Sequence, residues 1–247
     1  MPPKAKIRFI AMAVFVGACT IVLLTIPPVW QLKGGEDAPH TIRGPGHPQW
    51  VDYEVISKHT INAIIAAEDA RFYSHGGIDF FAILESIKLN FQQQRYARGA
   101  STISQQLVKI AFLSQEKSLL RKIREIVGAI TLEWNISKED ILAWYLNNVT
   151  FGHGTIGIQE AAEYYFNEDP SILTVQQSIQ LALVLPNPAR RSEGLVEKRL
   201  SEFDQRRFRT ISSQMHASGY LTDELKEEVM ATGDFGRPLN PNKNQQD

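Results

Sequence analysis

Ile61, Ile64, Ile65, Glu68 and Phe72 fall at i, i+3, i+4, i+7 and i+11, the spacing of one helical face. This face constrains the chain more than any other feature. Four of its residues are apolar and predict burial against a core, yet the remaining position carries a carboxylate. A charge there is costly unless it has partners or a task. Desolvation favours its protonated form and makes it a stronger base once ionised. Two readings follow from the stripe alone: an ordinary paired glutamate closing a helix, or a base set in an apolar wall.

The same period runs through most of the chain. It predicts helices over 57–70, 80–92, 102–112, 118–134, 138–147, 157–166, 175–185, 197–219 and 222–230, whereas alternating strand patterns are scarce. Ser137 before Lys138-Glu139-Asp140, and Thr222 before Asp223-Glu224, place capping hydroxyls ahead of acidic first turns. Pro170 and Pro186-Asn187-Pro188 are stops. With 247 residues, 43% hydrophobic and 21% charged, the chain suits one mostly α domain plus an appendage. The net charge of −1 excludes nothing, and the one cysteine, Cys19, excludes an internal disulfide framework and a multi-cysteine zinc site.

The appendage is an uncharged, apolar run of 18 residues from Phe9 to Ile26, preceded by Lys4, Lys6 and Arg8. As a helix it would span roughly 27 Å, enough to cross a hydrocarbon core. The basic flank predicts a cytoplasmic N-terminus, with everything after Trp30 outside. Val16-Gly17-Ala18-Cys19 superficially resembles a lipoprotein box, but the apolar run continues beyond the cysteine, and no small-x-small cleavage site follows. The expected organisation is therefore a cytoplasmic N-terminus (1–8), a transmembrane anchor (9–30), a Gly/Pro-rich linker (31–49), a helical domain (50–235) and a polar tail (236–247).

Chemistry concentrates in three further segments. Arg98-Gly99-Ala100-Ser101-Thr102-Ile103-Ser104-Gln105-Gln106 combines small residues, hydroxyls and paired amides, suited to gripping sugar or phosphate oxygens, or equally to capping a helix. Lys109, Lys117, Arg121, Lys122 and Arg124 surround Glu125, and Arg121 can pair with it at i, i+4. Such a cluster can hold a diphosphate, or form a solvated salt-bridged face. In the segment 138–147, Ile141, Leu142, Tyr145 and Leu146 predict packing, and Tyr145 and Asn147 can support a site. The glycines of Phe151-Gly152-His153-Gly154-Thr155-Ile156-Gly157 predict a tight turn.

Together these residues resemble the peptidoglycan glycosyltransferases, glycosyltransferase family 51. Glu68-Asp69-x-x-Phe72-x-x-His75-x-Gly77-x-Asp79 is similar to the first family motif and Gly99-Ala100-Ser101-Thr102-x-x-Gln105-Gln106 to the second. Arg121-Lys122-x-x-Glu125 is similar to the third, and Lys138-x-x-Ile141-x-x-x-Tyr145-Leu146-Asn147 to the fourth. Gln177 stands where many members carry glutamate, which alters the fifth motif. The resemblance implies a lysozyme-like, mostly α-helical glycosyltransferase domain that polymerises lipid II into β-1,4-linked strands, releasing undecaprenyl diphosphate. It implies Glu68 as general base, and Glu125, with Lys109, Lys117, Arg121, Lys122 and Arg124, near the diphosphate, directly or through a divalent cation (Mg or Mn). Ser101, Thr102, Gln105 and Gln106 would line the donor cleft, with Asp69, Phe72 and His75 shaping the first motif.

The implied partners are lipid II, the growing strand, the membrane and other cell-wall synthesis proteins, with no nucleic acid. The implied place is the bacterial cytoplasmic (inner) membrane, with the catalytic domain outside. Leu89, Phe91 and Tyr96 are candidates for a lip touching lipid, or for helix packing. Two rival readings share the catalytic glutamate or the anchor: a glycan-cleaving lytic transglycosylase or muramidase, and a non-catalytic scaffold. The basic cluster weighs against the first, since cleavage of glycosidic bonds releases no diphosphate. Ser114-Gln115-Glu116-Lys117 matches Ser-x-x-Lys, but no Lys-Thr-Gly follows, so a penicillin-binding activity is set aside.

Overall fold

Helices carry almost all the regular structure of the computed structural model, which describes residues 3–24, 26–33, 35, 39, 41–93, 101–113, 118–237 and 239. In chain order they are α1 (Pro3–Leu24), α2 (Lys58–Glu68), α3 (Phe80–Gln93), α4 (Ile103–Phe112), α5 (Leu119–Asn135) and α6 (Lys138–Asn148). A two-stranded antiparallel hairpin of β1 (Thr150–Gly152) and β2 (Thr155–Ile156) follows. Then come α7 (Ile158–Phe166), α8 (Val175–Val184), α9 (Pro188–Arg191), α10 (Glu193–Val196), α11 (Glu202–Ala217) and α12 (Asp223–Thr232).

Hydroxyl side chains start most of the longer helices. Thr102 and Thr174 close capping boxes with Gln105 and Gln177, while Ser118, Ser137, Ser201 and Thr222 each accept from an amide of the first turn. Each such cap contributes about 1 kcal/mol. Packing does the rest. α2 lies against α8 and α11, and α4 against α5 and α6. Ala63, Ile64, Ile65 and Ala66 of α2 meet the buried Ile179, Leu181, Ala182 and Leu183 of α8, and the Thr60 and Ser178 hydroxyls pair at 3.0 Å between the two helices.

Two helix boundaries differ from the sequence expectation for tertiary reasons. α2 stops at Glu68 rather than residue 70, because the Asp69 backbone leaves the helix and its carboxylate accepts from the Ile103 amide at 3.0 Å. Phe72 is therefore buried from a separate short turn, Phe72–Ser74, and not from the same helix. The helix expected over 197–219 begins later: Lys198 has φ +51°, the Leu200 amide donates to Asp234, and α11 starts behind Ser201.

The described residues between α1 and residue 50 are largely irregular but docked. Val29 and Leu32 are buried, and Arg43 pairs with Glu160 at 2.6 Å. α1 covers the apolar run, and its described large side chains are exposed. Among the described residues no helix is long and apolar enough to cross a membrane; the side chains at 14, 18, 19 and 21–25 lie outside the description. The tail beyond residue 239 also lies outside it.

Gly77 shows how closely the elements approach at the site. Its φ is +92°, and a Cβ there would sit 2.7 Å from the Ala129 carbonyl carbon and oxygen and the Ile130 nitrogen of α5. Backbone cannot yield as a side-chain tip can. Gly77→Ala is expected to cost about 2 kcal/mol or more, from a strained backbone and a clash, read as a lowered midpoint in chemical denaturation.

Candidate active site

Glu68 is the last residue of α2, and its side chain is only 11% exposed. The Gln106 amide nitrogen donates to its Oε2 at 3.0 Å, and an Arg207 guanidinium nitrogen lies 3.6 Å from its Oε1. Burial pushes its pKa up from the ordinary carboxylate range; the Gln106 hydrogen bond and the charges of Arg207 and Arg191 offset this in part, while Asp69 adds to it. The negative end of the α2 dipole acts in the same direction as burial. A cavity of ≈160 Å³ opens beside it, walled by Glu68, Asp69, Arg71, Asp79, Ser101 and Gln214 among others. A larger cavity of ≈590 Å³ lies between α9 and α11, but its Glu193 and Glu197 are exposed. Glu68, the buried carboxylate with the raised pKa, lines the smaller one.

Behind Glu68, the first motif is locked from several sides. Asp69 accepts from Ile103 N and from His75 Nε2, at 3.0 and 2.9 Å. His75 Nδ1 lies 3.9 Å from Glu133, which accepts from Ser104 Oγ and Lys138 Nζ, both at 2.5 Å. Lys138 also donates to the His75 carbonyl at 2.8 Å and stands 4.1 Å from the centre of the Phe72 ring. Asp79 takes both arms of Arg71, at 2.9 and 3.0 Å, and the Ala82 amide at 2.8 Å. Burial raises the Asp79 pKa, but the Arg71 and Ala82 hydrogen bonds outweigh it and hold the group below the ordinary range.

The second motif divides. Ser101 lines the cavity, and Thr102 shares its wall, but the Thr102 hydroxyl donates to Gly77 O at 2.7 Å and caps α4. Gln105 is buried within the capping box. Gln106 is committed to Glu68 and to Tyr145, whose hydroxyl donates to its Oε1 at 3.0 Å. The expected row of four donor-cleft contacts thus reduces to Ser101 and the wall of Thr102; the two glutamines hold structure. Gly99 and Ala100 lie outside the described residues.

The third motif forms a compact ion cluster. Glu125 is buried, with Arg121 at 2.8 Å on one oxygen and Lys122 at 2.8 Å on the other. Lys122 Nζ also donates to Ser101 Oγ at 3.0 Å, which joins this cluster to the cavity wall beside Glu68. Lys109 is half-buried near the end of α4, Arg124 is half-buried on α5, and Lys117 lies outside the described residues. Asn147 is structural: it is fully buried, exchanges hydrogen bonds with Val51 N and O at 2.8 Å, and so fixes the start of the domain on α6.

Among the described residues, no donor set at the site suits a divalent cation. Asp69, His75 and Asp79 offer atoms within 4.8 Å of one another, but their oxygens are taken by Ile103 N, His75, Arg71 and Ala82 N. Glu125 has a cation on each oxygen. Neither arrangement resembles the oxygen-rich, open coordination that Mg or Mn requires.

Several residues escaped the sequence reading. Arg207 and Gln214 reach the site from α11, about 140 positions after Glu68 in the chain, and Glu133 anchors the shell from α5. The arginine-rich run at 206–209 was the one signal for the first. For Glu133 there was none, since a glutamate between Leu132 and Trp134 reads as an ordinary helix residue.

The fold and site define a helical domain in which a helix packed against two others ends on a carboxylate in a cleft, with cations at its margins. Residues 37–216 match the transglycosylase family, and the chain belongs to it. A biosynthetic peptidoglycan transglycosylase of Nitrosomonas eutropha is 48% identical over 140 residues, 57% of each chain. One of Paraburkholderia phytofirmans is 41% identical over 169 residues, 68% of this chain and 69% of its own. Penicillin-binding protein 1F of Bacillus subtilis is 39% identical over 183 residues, 74% of this chain and 25% of its own. The matched region spans 57% of the length of both the N. eutropha protein and its Nitrosomonas europaea counterpart.

Gln177, the departure in the fifth motif, has a plain role. Its Oε1 accepts from Thr174 N at 2.8 Å, as the third residue of the α8 capping box. A glutamate performs the same task. Gln177→Glu should shift stability by no more than about 0.5 kcal/mol, in the stabilising direction, as read by urea denaturation.

Proposed function

We propose that this protein polymerises lipid II into β-1,4-linked glycan strands and releases undecaprenyl diphosphate, with Glu68 as general base. The observation that carries this reading is a single wall of one cavity: the buried Glu68 carboxylate, and Ser101 tied to the Lys122–Glu125–Arg121 cluster. Glu68 would take the proton of the acceptor's GlcNAc 4-hydroxyl. The oxygen attacks the anomeric carbon of the terminal MurNAc on the growing chain, the bond to the diphosphate oxygen breaks, and the configuration inverts. Lys122 and Arg121 receive the charge that develops on the leaving diphosphate. A base with a raised pKa accepts a proton more readily when ionised, which suits a hydroxyl donor. A glycan-cleaving enzyme has no diphosphate to receive and no use for this cluster.

A polyprenyl substrate also requires the enzyme to work at a bilayer surface, since each buried CH₂ holds the lipid in place by about 0.8 kcal/mol. Two features support an anchored, membrane-facing orientation at the cytoplasmic membrane, with the catalytic domain outside. The first is the uncharged run of Phe9 to Ile26 behind a basic flank. The second is the exposed stripe of Phe80, Phe81, Leu84, Ile87 and Phe91 along α3, adjoining the segment 94–100 that precedes Ser101. Of the three expected lip residues, Phe91 is exposed, Leu89 is half-buried and Tyr96 lies outside the described residues. Other cell-wall synthesis proteins remain proposed partners.

Purified protein with lipid II in detergent should yield lysozyme-sensitive polymer, and Glu68→Gln should lower its rate by about 10²-fold or more. Because burial raises the folded pKa of Glu68, the native state binds more protons than the unfolded chain above the ordinary glutamate value of 4.5, and stability falls as pH rises through that window. The neutral Gln should therefore be at least as stable as wild type at pH 7. Undiminished polymerisation by a folded Glu68→Gln would remove Glu68 from the base role.

A further inference from the structure

We infer that Tyr145 is a positioning residue that acts on Glu68 through Gln106, its hydroxyl fixing which end of the Gln106 amide faces the carboxylate. This deepens the proposed function, on which the role of Glu68 rests. A glutamine amide has two ends of nearly equal shape and opposite hydrogen-bonding character. Toward Glu68 the nitrogen end donates, whereas the oxygen end would set acceptor against acceptor in a water-poor pocket. A partner on the far side selects between them. Tyr145 Oη lies 3.0 Å from Gln106 Oε1, and Gln106 Nε2 lies 3.0 Å from Glu68 Oε2, so the three side chains form one directed chain of hydrogen bonds across α6, α4 and α2.

The phenol is well suited to fix that direction. Tyr145 is fully buried, and burial, with the nearby charges of Glu68 and Asp69, keeps its pKa well above the ordinary phenol range. It therefore stays protonated wherever Glu68 titrates, and against a carbonyl oxygen it can only donate. The remaining groups that face Glu68 are Asp69 beside it, Arg207 of α11 and Arg191 of α9, with Arg71, Asp79 and Glu85 on the cavity wall. α8, packed along α2, carries no titratable side chain. None of these charges depends on the Tyr145 hydroxyl, so its removal isolates the relay.

Tyr145→Phe keeps the ring and removes only the donor. Gln106 then loses its orientation, the hydrogen bond that favours ionised Glu68 weakens, and the Glu68 midpoint should rise by about half a unit to one unit. In the full-length protein with lipid II, the acidic limb of kcat/KM should move to higher pH while the high-pH plateau is largely kept. Gln106→Met should move the limb the same way, and the double variant no further than Gln106→Met alone.

The midpoint can also be read without turnover, from the side-chain carboxyl ¹³C resonance of Glu68, assigned by its loss in Glu68→Gln. A Tyr145→Phe protein with an unmoved Glu68 midpoint, or a double variant whose shift is the sum of the two, overturns the relay. A wild-type protein that makes no polymer overturns the proposed function instead, and the resonance still decides the relay. If Tyr145 serves packing alone, Tyr145→Phe lowers turnover equally at every pH.

Discussion

α2 is packed against α8 and α11, and it ends on Glu68. The break is imposed by the next residue: Asp69 turns its carboxylate onto the first amide of α4, so one helix stops where another starts. Two adjacent carboxylates thereby meet opposite helix ends. Asp69 faces the donor-rich start of α4, while Glu68 stays at the acceptor-rich end of α2 with one amide and one distant guanidinium for partners. The same sequence neighbours are split by backbone direction into a carboxylate tied to a helix start and one left facing the cleft.

Around that junction the supporting shell is ionic but closed. Glu133 receives Ser104 and Lys138, Lys138 holds the His75 carbonyl, and His75 holds Asp69. Each link joins a different element: α5 to α4, α5 to α6, α6 to the loop after α2. A buried pair of this kind adds little net stability over an apolar replacement, but removal of one member leaves a bare charge and costs about 3–5 kcal/mol. The network consequently fixes geometry more than it adds stability, which suits a loop that must keep Asp69 and the Glu68 backbone in place. Gly77 belongs to the same device, since its missing Cβ lets that loop touch the α5 backbone.

The interior of α2 was legible because burial and the 3.6-residue period speak together: Ile61, Ile64 and Ile65 are all in the core. Its end was not, since Asp69 leaves the helix for an amide 34 residues away in the chain. The second motif was misread in part for a different reason. Thr102-Ile103-Ser104-Gln105 has the spacing of a capping box, yet the same hydroxyl and amide also suit a sugar, and only the bonds to Gln105 N and Thr102 N decide between them. Ser101 and Lys122 were found by residue type. Their contact was not predictable, because the residues between them offer no period that fixes α4 against α5. Arg207 shows the limit most plainly, since its role depends wholly on how α11 crosses α2.

Four cations near the site are each paired with a carboxylate. Arg121 and Lys122 share Glu125, Arg71 is forked onto Asp79, and Arg191 pairs with Asp204. A carboxylate partner lowers the field each cation presents, but it removes the freedom of a long side chain, which otherwise costs about 2 kcal/mol to immobilise. A diphosphate carries more charge than one carboxylate and can accept from Lys122 and Arg121 together without displacing Glu125, because an ammonium has three donors and a guanidinium five. Charge-assisted bonds of this kind contribute about 1.5–3 kcal/mol each. With Glu125 offsetting part of the attraction, the cluster on the proposed reading would stabilise the charge of a leaving diphosphate without trapping it.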